Sequence, residues 1–155
     1  MMKRLEIRGI DMAFLTLHCG LGNFRNTDVE DLTKHKMDSE QMFVNEECCR
    51  IVNKAKDEER KVVAIGTTVQ RALEASCSTD NRIKEFEGWT NKFIFPPYEF
   101  HVADAMLVNF YLPYSTLLML TAAFGGYEYT MNAYHEALKH DYRFGPFGDC
   151  MLILD

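Results

Sequence analysis

The run Asp104-Ala-Met-Leu-Val-Asn-Phe-Tyr-Leu-Pro-Tyr-Ser-Thr-Leu-Leu-Met-Leu120 constrains the fold of this 155-residue chain more than any other stretch. It compresses a strand with polar ends, a proline turn and an apolar helix. Asp104, Asn109, Ser115 and Thr116 stand inside otherwise apolar sequence. There, an unpaired polar group costs roughly 1–3 kcal/mol. These four side chains must therefore meet partners, either within the fold or in a ligand.

The remaining segments supply an α/β framework. Phe14–Cys19 alternates as a strand does and ends in Gly20-Leu-Gly22, a turn suited to close backbone approach. A polar segment over Arg25–Lys36 reads as a loop with a short helical turn, and Met37–Val44 as a second strand. Asn45 is an N-cap, with Glu46 and Glu47 favouring the helix dipole, so a helix is expected over Asn45–Glu59. Lys61–Ile65 has the apolar run of a buried strand. Gly66-Thr67-Thr68 then opens a helix to about Ala75. Helix, strand, glycine turn and helix in that order predict some parallel pairing.

Farther on, Ser76–Trp89 reads as a polar connector, and Lys92–Phe95 as a strand stopped by Pro96-Pro97. Glu99–Val108 returns as a strand, and Ser115 caps a helix that Gly125-Gly126 ends. Tyr127–Tyr142 is an amphipathic helix with Tyr127, Met131, Tyr134 and Leu138 on one stripe. Cys150–Leu154 is a terminal strand. The expected class is α/β, a mixed and partly parallel sheet flanked by helices, in a single domain over 1–155.

Composition narrows the function. An apolar fraction of 47% fits a folded core, and 17 basic against 23 acidic side chains leave a net charge of −6. Global attraction to nucleic acid is thereby excluded, so any RNA contact needs a local patch or another polypeptide. Five cysteines, odd in number and without CxxC spacing, point to reduced thiols, a cytoplasmic setting and no zinc site. No apolar stretch reaches the length of a membrane span.

Several constellations can carry chemistry. Gly66-Thr67-Thr68 at a strand-to-helix junction offers free amides to an anion, with Arg71 and Glu74 following as either a cleft feature or a surface ion pair. His18, His35 and Glu40 can supply acid or base groups, although a lone histidine on an apolar strand, as His18 is, is more often a hydrogen-bonded core residue. Trp89, Phe93, Phe95, Tyr98 and Phe100 form either a base-stacking cluster or core. Asp104, Asn109 and Asp149 are either site residues or buried hydrogen-bonding hubs. No Walker motif, dinucleotide fingerprint or metal-ligand spacing is present.

Taken in order, Thr16–Phe24, His35–Glu40, Ala64–Thr68 with Arg71 and Leu73-Glu74, Trp89-Thr90, Phe93–Pro96, Phe100, Asp104–Met119, Tyr142–Phe144, Gly148-Asp149 and Met151–Ile153 resemble the S-adenosylmethionine:tRNA ribosyltransferase-isomerase family of queuosine biosynthesis. The resemblance spans essentially the whole chain and is to the C-terminal half of the family's larger catalytic domain.

This resemblance implies an enzyme that transfers and isomerises the ribosyl moiety of S-adenosylmethionine onto 7-aminomethyl-7-deazaguanine in tRNA. S-adenosylmethionine is then a substrate, and neither cofactor nor metal is implied. The implied catalytic candidates are His18, His35, Glu40 and Asp104. The implied binding residues are Gly66, Thr67, Thr68, Arg71, Asn109, Ser115, Thr116 and Asp149. All are expected to converge on one nucleoside-sized hollow.

Departures from the family pattern support a second reading. Asn23 replaces a threonine, Asp38 a histidine, Val69 a hydroxyl residue, Tyr111 a histidine and Tyr114 a basic residue; Gly145-Pro146 stands near an aromatic-serine pair. The family's N-terminal portion and small β-rich domain also lie outside this chain. Expected partners are accordingly the missing N-terminal half, in cis or in trans, tRNA and a second copy through exposed apolar surface. The alternative function is a non-catalytic domain binding a nucleoside, RNA or a partner protein.

Overall fold

Apolar alternation in this chain is distributed over two small sheets rather than one. The structure, a computed structural model, describes residues 1–24 and 31–154. A short helix α1 (Met2–Ile7) with no buried residue precedes strand β1 (Thr16–Leu17), shorter than the alternation from Phe14 predicts. Strands β2 (Glu40–Val44) and β4 (Phe86–Thr90) complete an antiparallel sheet in the order β1-β2-β4. Between β2 and β4 lie helix α2 (Glu46–Asp57), strand β3 (Val63–Ile65) and helix α3 (Thr67–Ser76).

The second sheet follows the order β3-β5-β6, with β5 at Ala105–Asn109 and β6 at Cys150–Leu154. β3 runs parallel to β5, pairing Ile65 with Leu107, whereas β6 is antiparallel to β5, pairing Leu152 with Leu107. The expected mixed, partly parallel sheet is therefore present, joined by a second, wholly antiparallel one. Helices α4 (Thr116–Gly125) and α5 (Tyr127–Lys139) fill the connection from β5 to β6.

Helix α3 contacts β1 and β2 on one side and β3 and β5 on the other, so both sheets share it. Its buried Ala72 and Leu73 join Met42, Ala64, Ile83, Ile94 and Met106 in the principal core. A smaller cluster of Phe110, Tyr134 and Ala137 seats α5.

Local signals that rest on capping hold up. The Asn45 side chain accepts from the Cys48 amide at 2.8 Å, and the Ser115 hydroxyl accepts from the Leu118 amide at 3.1 Å. The predicted polar loop over Arg25–Lys36 contains a 3-10 turn at Leu32–Lys34, while residues 25–30 lie outside the described residues.

Other readings require correction. β4 lies where a polar connector was expected: Phe86 and Thr90 turn inward while Glu87 and Trp89 face out, so alternation was masked by charge. Lys92–Phe95 is not a strand, because β4 already occupies the free edge of β2. β3 is not buried on both faces; Val63 and Ile65 are 49% and 62% exposed. The buried stripe of α5 is Thr130, Tyr134 and Ala137, rotated from the predicted one, with Tyr127 and Leu138 outside.

Candidate functional site

Parallel strands carry ligand sites beyond their C-terminal ends, because the following helices begin there and aim amide N–H groups outward. In this chain β3 ends at Ile65, directly before Gly66, and β5 at Asn109. Gly66 adopts φ +98°, a region that disfavours any residue with a Cβ, and its amide donates to the Leu107 carbonyl at 2.8 Å. Thr67 and Thr68 are thereby placed at the first turn of α3, which has no side-chain cap.

An open cleft of about 160 Å³ lies there, lined by Cys19, Thr67, Thr68, Asn109, Tyr111 and Pro146. The Thr67 and Tyr111 hydroxyls hydrogen-bond at 3.2 Å, and the Tyr111 amide donates to the Tyr134 hydroxyl at 2.8 Å. Asn109 donates to the carbonyls of Gly148 and Asp149, each at 3.3 Å, which holds the 143–149 turn beside the cleft. The Cys19 thiol is pushed up, first by burial and then by the nearby Glu40 carboxylate.

A smaller pocket of about 10 Å³ is lined by Thr67, Thr68, Arg71, Lys92, Thr116 and Leu117, and it shares Thr67, Thr68 and Leu117 with the cleft. Arg71 and Glu40 are 4% and 3% exposed and form an ion pair through Nη2 and Oε2. Glu40 Oε1 also accepts from the Gly20 amide at 2.7 Å, and the close approach expected of Gly20-Leu-Gly22 falls at Gly22, where a Cβ would stand 2.5 Å from Asp38 Oδ2. Arg71 Nη1 and the Thr116 hydroxyl are buried without a partner among the described residues. Each such group costs about 1–3 kcal/mol when nothing meets it.

The predicted residues thus separate into three sets. Thr67, Thr68, Arg71, Asn109 and Thr116 line the cleft and its inner pocket, and Gly66 sets their backbone. Glu40 stands behind Arg71 as its counter-charge. Among the described residues, His35 reaches the site through Phe93, a lining residue of the inner pocket, with ring centroids 4.9 Å apart.

The remaining four do not line it. His18 is exposed, edge-on to Phe43. Ser115 serves as the α4 cap, and the Asp149 carboxylate accepts from the Arg143 amide at 2.8 Å. Asp104 lies at the opposite end of the sheet, where its carboxylate accepts from the Val62 amide at 2.7 Å and Lys61 approaches to 3.8 Å. The expected convergence of Thr67, Asp104 and Asn109 on one hollow therefore holds for Thr67 and Asn109 only. Asp104 precedes β5 and Asn109 ends it, so the strand itself keeps them apart.

Arg71 and Glu74 are not a surface ion pair either. Glu74 is buried and accepts from the His101 and Val102 amides at 3.0 and 3.1 Å and from the Tyr98 hydroxyl at 3.2 Å. The aromatic cluster splits into Phe93–Phe95 and Tyr98–Phe100 pairs, with Trp89 exposed on β4. Cys19, Tyr111 and Pro146 line the cleft without having been singled out as site residues. Tyr111 had a signal, since it departs from the family pattern directly after β5.

Comparison with known proteins agrees with this framework. The queuosine biosynthesis protein family matches residues 1–153. The chain is similar to S-adenosylmethionine:tRNA ribosyltransferase-isomerase of Phocaeicola vulgatus, with 68% identity over 155 residues, 100% of this chain and 44% of that protein. The protein of the same name from Cytophaga hutchinsonii is 56% identical over 153 residues, covering 99% of this chain and 44% of its own length.

Among solved structures, S-adenosylmethionine tRNA ribosyltransferase from Thermotoga maritima matches with a TM-score of 0.81 and 38% identity, over 99% of this chain and 48% of that one. The chain spans less than half the length of these relatives. With the match running through both sheets and every residue of the cleft, the chain belongs to the queuosine biosynthesis protein family.

Proposed function

We propose that this chain is the C-terminal part of a tRNA-modifying enzyme that moves and isomerises the ribosyl group of S-adenosylmethionine onto 7-aminomethyl-7-deazaguanine. The observation that carries this reading is the cleft beyond β3 and β5, where one family-matched surface gathers Thr67, Thr68, Asn109 and Tyr111. At about 160 Å³ it falls below the roughly 300–1,000 Å³ usual for a ligand site, as one wall of a larger site should.

The other wall has an identifiable seat. Val63, Ile65, Leu107, Leu152 and Leu154 form a bare apolar face on the second sheet, and Asn109 ends the same face at the cleft. The N-terminal portion carried by the longer relatives, packed on that face, would close the cleft over the donor.

The reaction implied by the resemblance begins with removal of a proton beside the sulfonium. Glu40 is held by Arg71 and the Gly20 amide, and the Cys19 thiol is shifted away from thiolate. Neither is placed to accept that proton. We therefore assign to this chain the holding of the donor. Such an enzyme works in the cytoplasm, where the five free cysteines stay reduced.

The test is adenine release. This chain combined with the N-terminal portion should release adenine from S-adenosylmethionine when deazaguanine-modified tRNA is supplied. Either part alone should release none. A combined, folded protein that binds the tRNA yet releases no adenine would leave the domain with a binding role only.

A further inference from the structure

Two ten-residue helices, α3 and α4, begin at the same small pocket, with Thr67 and Thr68 from one and Thr116 and Leu117 from the other. Each N-terminus carries a partial positive charge of about half a unit. Arg71 and Lys92 also line the pocket, Arg71 paired with Glu40 and the Lys92 ammonium lying 5.4 Å over the Tyr98 ring. Of the buried side chains with an unpartnered polar atom among the described residues, two line this pocket: Arg71, whose guanidinium is already fixed by Glu40 and leaves Nη1 over, and Thr116 through its hydroxyl. Its volume of about 10 Å³ holds one water-sized group, such as a single oxygen of an oxyanion, and excludes a nucleobase.

We propose that this pocket binds an oxyanion and that the group it takes is the amino-acid carboxylate of S-adenosylmethionine. The inference rests on the ribosyl-donor reading above and assigns one end of that donor. A carboxylate offers one oxygen to Arg71 Nη1 and Thr116 in the pocket and the other to the free amides of α3 where pocket and cleft meet. Thr67, Thr68 and Leu117 are common to pocket and cleft, so a donor anchored by its carboxylate extends its sugar toward Asn109 and Tyr111. An RNA phosphate is an oxyanion too, and the experiment separates the two sources.

Affinities for S-adenosylmethionine and for decarboxylated S-adenosylmethionine are measured by equilibrium dialysis on this chain combined with the N-terminal portion. The unmodified protein should prefer the carboxylated donor by at least about tenfold, the ratio expected for one charge-assisted contact. Thr116→Val, which removes an unbonded hydroxyl at constant volume, should weaken only the carboxylated donor. The pair Glu40→Gln with Arg71→Gln removes both buried charges together and should erase the preference. If that double variant fails to fold by circular dichroism, Thr116→Val alone carries the decision.

Equal affinity for the two donors overturns the proposal, as does a preference that survives in the folded double variant. Equal donor affinity with an Arg71-dependent loss of tRNA affinity and of its salt slope gives the pocket to an RNA phosphate and overturns the carboxylate assignment. Binding is read without turnover. A carboxylate preference in a protein that releases no adenine therefore sinks the proposed reaction and leaves this assignment standing.

Discussion

Asp104 and Asn109 bracket one strand, and both are polar residues in apolar sequence, yet only Asn109 faces the cleft. Their pattern in the sequence is the same. What distinguishes them is which end of β5 the neighbouring helices start from, and that is a tertiary fact. Because Asp104 accepts the Val62 amide at the far end, Asp104→Ala should lower stability by about 1–2 kcal/mol in urea denaturation while leaving donor affinity unchanged. A lost donor affinity in the folded variant would contradict this placement.

Tyr134 gives a second residue-level prediction. Burial pushes its hydroxyl up to about 12, above the ordinary tyrosine value near 10. Its folded value being the higher, the folded chain keeps the proton where the unfolded chain has lost it. This contribution is complete below about pH 10 and disappears as pH rises toward 12. Stability should fall across that window, and Tyr134→Phe should flatten the fall while removing the acceptor of the Tyr111 amide.

At the level of elements, local chemistry was legible and pairing was not. Asn45 and Ser115 announce α2 and α4 because a side-chain oxygen reaching an orphan amide is a contact within four residues. β4 was hidden because Glu85, Glu87 and Gly88 resemble a solvated loop until β2 is laid beside them. The inward turn of α5 depends on Phe110 and Phe144, against which Tyr134 packs at centroid distances of 5.2 and 5.6 Å. Ser115→Ala should cost about 1 kcal/mol by thermal denaturation, the usual loss for an N-cap. It should also weaken donor binding, since α4 carries Thr116 into the inner pocket. A variant of unchanged stability would deny the cap its role.

For the molecule as a whole, alternation alone could not tell an uncovered apolar face from a buried one. Val63 and Ile65 read as core in the sequence because β3 has the composition of a doubly covered strand. In the fold they are 49% and 62% exposed, and they share one face of the second sheet with Leu152 and Leu154. Large exposed apolar patches drive association. The 155-residue chain alone should therefore scatter light as a dimer or larger species. Ile65→Lys with Leu152→Lys should shift it toward monomer. A clean monomer from the unmodified chain would show the face to be harmless.

The central claim is that the donor occupies the cleft beyond the C-terminal ends of β3 and β5. Backbone amide shifts of this chain, isotopically labelled and combined with the N-terminal portion, test it most directly during titration with S-adenosylmethionine. The account predicts that shifts concentrate at Thr67, Thr68, Asn109, Thr116 and Leu117 while Val62 and Asp104 stay still. Saturable shifts centred on Val62 and Asp104, with Thr67 and Thr116 unmoved, would contradict it.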